Sequence, residues 1–406
     1  MKGLSVRNCP ICGGAEVVIL HRQKFALLEG HPLADGYDVV CCVRCGFVYA
    51  DTTATKEDYE RFYAEFSKYE DRQFTSGAGE PPWDAKRLQD TARQIAVLVA
   101  NKKARILDMG CANGGLLKSL SQLGFQNLCG IDPSPVCVEN VKRLGLEARV
   151  GSLFNLPAEI GQFDCVILSH VLEHVQDLKS ATQSISQLTK SEGGGIYVEV
   201  PNAAVYTDYT FAPFQDFNTE HINHFSIATL SNLLGPVGYS LREQGMKLIE
   251  SSPNMPYPAL YSVWDKTEQA SSSFRPVKDD KLVGSIQAYI AKSQAIMDGI
   301  DTRLRQALAQ LTKVIVWGTG QLAMKLLVET CLANATIAAF VDSNPINHGK
   351  KLLGVPILSP ERLSNLPYPI IVTTILHQED VVQQIYRMGL SNDVVLLDDQ
   401  EPQIEE

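Results

Sequence analysis

The chain has 406 residues, with 36 basic and 46 acidic side chains and a net charge of −10 at pH 7. That length exceeds the roughly 100–200 residues of one domain and implies two or three cores. The acidic balance excludes a chain-wide attraction to nucleic acid or anionic lipid and leaves small molecules as the expected partners.

No apolar run in the sequence reaches the ~18 residues of a membrane span, and the opening MKGLSVRNCPICGG lacks the apolar core of a signal peptide, so a cytoplasmic location is expected. Thiols stay reduced there, which makes clustered cysteines a sign of metal or catalysis before disulfides. Cys9 and Cys12, then Cys42 and Cys45, form two CxxC knuckles, each followed by a glycine; Cys41 is a spare neighbour that competes with Cys42. Four thiolates in this pattern suit a closed, tetrahedral structural zinc with no position open for chemistry. A redox dithiol and inert buried thiols are the alternatives. Cys111, Cys129, Cys137, Cys165 and Cys331 lie in apolar stretches and are expected in the core.

The zinc-binding module is expected over 1–54 and a helical connection over 55–84, where Thr55 is a plausible N-cap with Asp58 three residues on. That helix carries Tyr59, Phe62, Tyr63 and Phe66 along one side. Packing is the plain reading of these aromatics; a hydroxyl of Tyr63 or Tyr69 reaching a substrate is the other.

Over 85–262 short apolar strands alternate with helical segments: ARILDMG, NLCGID, FDCVILSH and GGIYVEV, separated by stretches such as GGLLKSLSQLG. This is the pattern of a doubly wound α/β sheet. The first strand runs into a loop with Gly110, Gly114 and Gly115, where a ligand can lie on backbone amides, and Asp132 ends the next strand, placed to bind ribose hydroxyls. The loop reads DMGCANGG where a dinucleotide site would read GxGxxG, and Asp108 precedes its first glycine, where a carboxylate can face an ammonium. With FDCVILSHVLEHVQD added, residues 85–245 resemble the class I S-adenosylmethionine-dependent methyltransferases. The resemblance implies a cofactor site of Asp108, Gly110, Gly114, Asp132, Pro133, Ser152, Leu153 and His170, with Gly151–Leu153 bordering the adenine. Ser152 stands where that family usually has an acidic residue. Glu173 and His174 are expected to cap the strand and helix beneath the cofactor.

Further on, QDFNTEHINHFS sets Glu220 beside His221, with His224 three residues later. A metal site, a pair of structural histidines, and a general base with an orienting carboxylate all fit that pattern. A metal needs three convergent ligands, and EHINH offers two histidines without the HExxH order of zinc hydrolases.

A linking region over 263–311 follows, in which Leu282, Ile286, Tyr289, Ile296, Ile300, Leu304, Leu308 and Leu311 keep helical spacing. Residues 312–406 read as a smaller, Rossmann-like α/β domain, with a GTG turn at Gly318–Gly320 and Asp342 at the end of the following strand. NAD binding there, and hence an oxidoreductase, is a rival reading; a nucleic-acid-binding zinc ribbon is another, which the lack of a basic run opposes.

Two knuckles, a methyltransferase-like domain with EHINHFS, a helix, and a terminal domain containing WGTGQLAMKLL and FVDSNPINHGKKLLGVPI together resemble the three-module sugar C-methyltransferases. That resemblance implies methyl transfer to the carbon beside the ketone of a nucleotide-linked keto-deoxysugar. His221 would be the base, supported by Glu220, with His224, Tyr63, Asn202 and Asn218 as candidate donors to the enolate oxygen. It also implies a terminal domain that holds a nucleotide sugar without redox work. The family often has a tyrosine just before the Glu-His pair; here Asn218 and Thr219 stand there. The competing activity is O- or N-methylation of another small metabolite, and a monomer or small homo-oligomer is expected.

Overall fold

The computed structural model describes residues 2–65, 78–252, 255–267, 275–363 and 366–398. The chain forms two compact units, one built from residues 1–20, 39–209 and 220–286, the other from residues 21–38, 210–219 and 287–406.

The first unit is organised on a seven-stranded sheet. Its strands Arg105–Met109, Asn127–Asp132, Cys165–Ser169 and Gly195–Pro201 are apolar along almost their whole length and buried on both faces, as parallel strands covered by helices must be. Arg105–Met109 pairs in parallel with Asn127–Asp132 on one side and Cys165–Ser169 on the other. The strand order therefore reverses at Met109, and the crevice past its carboxyl end is the place where an open α/β sheet collects ligands. Glu147–Val150 extends the sheet beside Asn127–Asp132. On the far side Met255–Lys266 pairs antiparallel with Gly195–Pro201, and Tyr239–Ser252 with Met255–Lys266. This antiparallel pair escapes sequence reading because YSLREQGMKLIESS is largely polar and glycine-interrupted; its outer strand leaves Leu241, Met246 and Leu248 exposed.

The helices start where local chemistry says they should. Thr55 and Asp58 exchange hydrogen bonds at the start of Lys56–Glu65, Thr55 N to Asp58 Oδ2 at 2.9 Å and Asp58 N to Thr55 Oγ1 at 3.2 Å, a reciprocal cap of the kind the sequence predicts. Phe66 and Tyr69 lie outside the described residues. Asp177 caps Leu178–Leu188 by accepting from Ser180 N, so the helix cap expected of Glu173 and His174 is made by a residue that follows them. Ser226 caps Ile227–Leu234.

The second unit holds a six-stranded sheet in which Val314–Trp317, Ile337–Val341, Val355–Leu358, Ile370–Val372 and Val394–Val395 run parallel and Lys351–Leu352 turns back antiparallel. Helix Asp280–Leu308 is 29 residues long. Its buried stripe is Leu282, Ile286, Tyr289, Ser293, Met297, Ile300 and Leu304. Met297 takes the place expected of Ile296, because steps of four from Tyr289 stay on the face that Ile296 turns away from. Among the described residues no helix is long and apolar enough to cross a membrane.

Candidate functional site

The four knuckle cysteines converge. Cys9 Sγ lies 3.5 Å from Cys45 Sγ and Cys12 Sγ 3.5 Å from Cys42 Sγ, and all four sulfurs fall within 4.8 Å of one another. A zinc ion with bonds of about 2.3 Å to sulfur sets tetrahedral edges of about 3.8 Å, so the four thiols fit that ion. Gly13 and Gly46 adopt positive φ, and their amides donate to Cys9 O and Cys42 O, closing each knuckle turn. Cys41 points elsewhere, with its Sγ toward Cys42 O. Cys111, Cys129, Cys137 and Cys165 are buried, while Cys331 is half-buried.

At the sheet crevice the turn after Met109 takes left-handed backbone at Gly110, Ala112 and Gly114. A Cβ on Gly110 would meet Val171 Cγ2 at 3.1 Å and one on Gly114 would meet Val141 Cγ2 at 2.9 Å, so both positions require glycine. Asp132 shapes this turn by accepting from Ala112 N and Ser134 N, each at 2.9 Å. Asp108 is 3% exposed; burial first, then the charge of Asp132, push its carboxyl up to about 8, against the pull of Arg87. Two buried carboxylates that resist joint ionisation suit a cationic ligand, and the sulfonium and ammonium of S-adenosylmethionine have that character. Pro133 is exposed beside Asp132, Leu153 is buried, and the Ser152 hydroxyl accepts from Phe154 N and Asn155 N in its own turn.

His170 ends the strand Cys165–Ser169 with a positive φ of 55°. Its Nδ1 lies 3.1 Å from Glu173 Oε1 and its Nε2 3.2 Å from Glu199 Oε1. Both acceptors are carboxylates, so both ring nitrogens donate and the ring is a cation. Burial opposes that charge, but the two carboxylates outweigh it and raise the ring's pKa to about 9. Glu199 is held well below the usual carboxylate range despite its burial, chiefly by Lys247 and then His170. Lys247 pairs with Glu199 and donates to Thr91 Oγ1 at 2.8 Å.

Glu173 belongs to the short turn Leu172–His174, which four hydrogen bonds at and just after it stitch to the EHINH stretch. Ile222 N donates to Glu173 O at 2.8 Å, His174 Nδ1 donates to Glu220 O at 3.1 Å, and the Asn223 amide donates to Leu172 O and Val175 O. In consequence the His174 ring sits edge-on to His221 at 4.9 Å and to Tyr63 at 5.9 Å, and Glu173, His174 and His221 bring donor atoms within 4.8 Å of one another. Of the expected catalytic residues, then, the structure gathers His221 and Tyr63. Glu220 lends this group its carbonyl, and its carboxylate charge is felt by Tyr59. His224 is fully buried edge-on to Tyr206 at 6.0 Å, and burial lowers its pKa to about 3. Asn202 Oδ1 accepts from Ala204 N, and Asn218 belongs to the other unit. Sequence reading missed the convergence of Glu173 and His174 and the clamp made by Asn223.

In the second unit Asp342 accepts from Thr319 N, Thr319 Oγ1, Asn344 N and Asn347 Nδ2. Those four bonds fill the lone pairs a ribose diol would need.

Comparison with known proteins gives this arrangement a context. Residues 83–244 match the family model for a methyltransferase domain. The chain carries an S-adenosylmethionine-dependent methyltransferase domain. Residues 310–396 match the model described as C2185-like, N-terminal. Curated relatives include a ubiquinone biosynthesis O-methyltransferase of Xanthomonas oryzae pv. oryzae, 37% identical over 106 residues, which are 24% of this chain and 44% of that protein. A ubiquinone biosynthesis O-methyltransferase of Xanthomonas campestris pv. campestris is 35% identical over 115 residues, 27% of this chain and 47% of that one. The chain thus spans less than half the length of these relatives. Among solved structures, a SAM-dependent methyltransferase from Methanosarcina mazei has a TM-score of 0.37 at 16% identity, covering 43% of this chain and 98% of its own. A possible histamine N-methyltransferase from Thermotoga maritima also has a TM-score of 0.37 at 16% identity, covering 52% and 95%. The matched span of the methyltransferase domain includes both the Asp108–Asp132 crevice and the group formed by Glu173, His174 and His221.

Proposed function

We propose that the chain methylates the carbon beside the ketone of a nucleotide-linked keto-deoxysugar, with His221 as general base. The observation that carries this reading is the meeting of His174 and His221, both inside the span matched as a methyltransferase domain, with Tyr63 from the preceding helix against them. S-adenosylmethionine supplies an electrophilic methyl group on a sulfonium, and Asp108, Gly110, Gly114 and Asp132 would hold it, with Pro133, Ser152, Leu153 and His170 around them. The chain must supply the nucleophile. A carbon beside a carbonyl becomes one only when its proton leaves, and an imidazole that titrates near neutral pH is suited to take it.

In this reading His221 removes the C–H proton, the bonding pair moves toward the carbonyl oxygen to form an enolate, and the enolate carbon then takes the methyl group. The Tyr63 hydroxyl, on a ring packed edge-on to His174, is the donor assigned to the enolate oxygen. His174, whose Nδ1 is committed to Glu220 O, presents Nε2 toward Glu173 and packs edge-on to the His221 ring. A structural zinc held by Cys9, Cys12, Cys42 and Cys45 completes the reading and performs no chemistry.

The test is mass spectrometry of the protein with a panel of nucleotide-linked 4-keto-deoxysugars. With S-adenosylmethionine, one methyl group should appear on carbon. With S-adenosylhomocysteine in deuterated water, the hydrogen beside the ketone should exchange, since deprotonation needs no methyl donor. His221→Asn should lower both reactions by about a hundredfold or more. Methylation at the wild-type rate in that variant would make the histidine structural. A methyl group on oxygen, with no exchange at carbon, would favour O-methylation, the activity named for the curated relatives.

A further inference from the structure

We propose that Glu173, His174 and His221 form a second metal site, one that takes a divalent transition-metal ion such as Zn²⁺ or Co²⁺. The cysteine cluster is a separate site with a different donor set.

Four observations point to a cation. Glu173 is 1% exposed, yet its Oε2 has no hydrogen-bond partner among the described residues. A buried carboxylate oxygen left bare is costly unless a donor or a cation meets it. His174 offers the complementary donor: because Nδ1 gives its hydrogen to Glu220 O, the neutral ring has its lone pair on Nε2, 4.0 Å from Glu173 Oε1. A ring nitrogen anchored on a backbone carbonyl is the arrangement that orients metal-bound histidines. His221 supplies a third donor within 4.8 Å of the other two. The outer layer is also in place, for His170 holds Glu173 Oε1 at 3.1 Å and fixes the carboxylate plane.

Two imidazoles and one carboxylate select zinc, cobalt or iron over magnesium and calcium, which prefer all-oxygen sites. Three protein ligands leave a position open. Donors bound at about 2.1 Å lie about 3.4 Å apart, so the side chains would close by less than about 1.5 Å, within the reach of rotamer adjustment. With an ion bound, the coordinated nitrogen of His221 has no lone pair for a proton. Occupancy and base catalysis therefore exclude one another, and excess zinc should inhibit methyl transfer by this route.

Binding is measured without any methyl acceptor, so its failure is distinct from failure of the proposed activity. Chelator-stripped, tag-free full-length protein is titrated with Co²⁺ and followed by absorption and by metal analysis after gel filtration. The expected result is two equivalents: one with intense sulfur-to-metal charge-transfer bands, and one with only weak d–d bands. His221→Ala, His174→Ala and Glu173→Gln should each lose the weak-band equivalent and keep the intense one. Retention of the intense bands also reports that the variant has folded. His170→Gln should weaken the second equivalent by about 10–100-fold. A single equivalent in wild-type protein, or a second one that survives in all three ligand variants, overturns the proposal.

Discussion

His170 and Asp108 carry the clearest pH signature at the level of single residues. The His170 ring has a pKa of about 9, above its ordinary 6.5, because Glu173 and Glu199 overcome burial. The folded state therefore keeps a proton that the unfolded chain gives up, so this contribution to stability is complete below pH 6.5 and is lost as pH rises through about 9. Asp108, raised to about 8 by burial and by Asp132, acts in the same direction and from a lower pH. Denaturant midpoints should fall between pH 6.5 and 9 in the wild type. His170→Gln should flatten that limb, whereas Asp108→Asn should raise the midpoint at pH 9 while weakening cofactor binding. Equal slopes in wild type and His170→Gln would show that the ring is not charged in the fold. Asp132→Ala tests the crevice directly. Loss of a charged acceptor should weaken S-adenosylhomocysteine by about 2 kcal/mol, close to thirtyfold by calorimetry, and unchanged affinity would move the ribose elsewhere.

Among the elements, the knuckle turns depend on metal most. They bury Cys9, Cys42 and Cys45 around sulfurs 3.5 Å apart, and thiolates so close repel one another unless an ion lies between them. Freshly purified protein should contain one tightly held zinc. Cys42→Ser should lose it together with the module's resistance to proteolysis, while Cys41→Ser should keep it, because the Cys41 sulfur points at Cys42 O and away from the cluster. Zinc retained in Cys42→Ser would hand the role to its neighbour. The same turns tie other elements down: a Cβ on Gly46 would stand 2.7 Å from Asp279 O, and Asp279 also accepts from Ser226 and from Leu282 N at the start of the long helix.

For the molecule as a whole, the units are interleaved in sequence, and each depends on distant segments. In the second unit Lys325 is 2% exposed; it donates to Gln23 Oε1 at 2.8 Å, pairs with Glu329 at 2.7 Å and lies over the Phe214 ring at 4.3 Å. Phe217 meets Tyr289 edge-on at 5.1 Å, and Asp216 N donates to the Tyr289 hydroxyl. A fragment of residues 287–406 would keep its six strands but take Gln23 and Phe214 from Lys325 and Asp216 and Phe217 from Tyr289. It should be less stable than the same unit in the full chain, with a lower denaturant midpoint or poor solubility. An equal midpoint would mean that residues 21–38 and 210–219 add nothing to the core.

The sequence by itself determined the features that depend on neighbours along the chain. These include the largely apolar parallel strands, the Thr55–Asp58 cap, the long helix, and the two glycine-closed knuckles, all set by periodicity and turn chemistry over a few residues. The tertiary structure decided which polar groups meet. Glu173 and His174 read as local caps in the sequence, but Asp177 makes the cap, and Asn223 holds the turn so that both residues face His221. His224 resembles a second catalytic histidine, yet its strand pairs with Val48 and buries it. Asp342 looks like a ribose ligand until two donors of Thr319, 23 residues away, and two of its own loop, Asn344 and Asn347, claim it. Each outcome has the same cause. A buried polar group must find partners, and the fold supplies them from residues far away in the chain, at separations that no local pattern records.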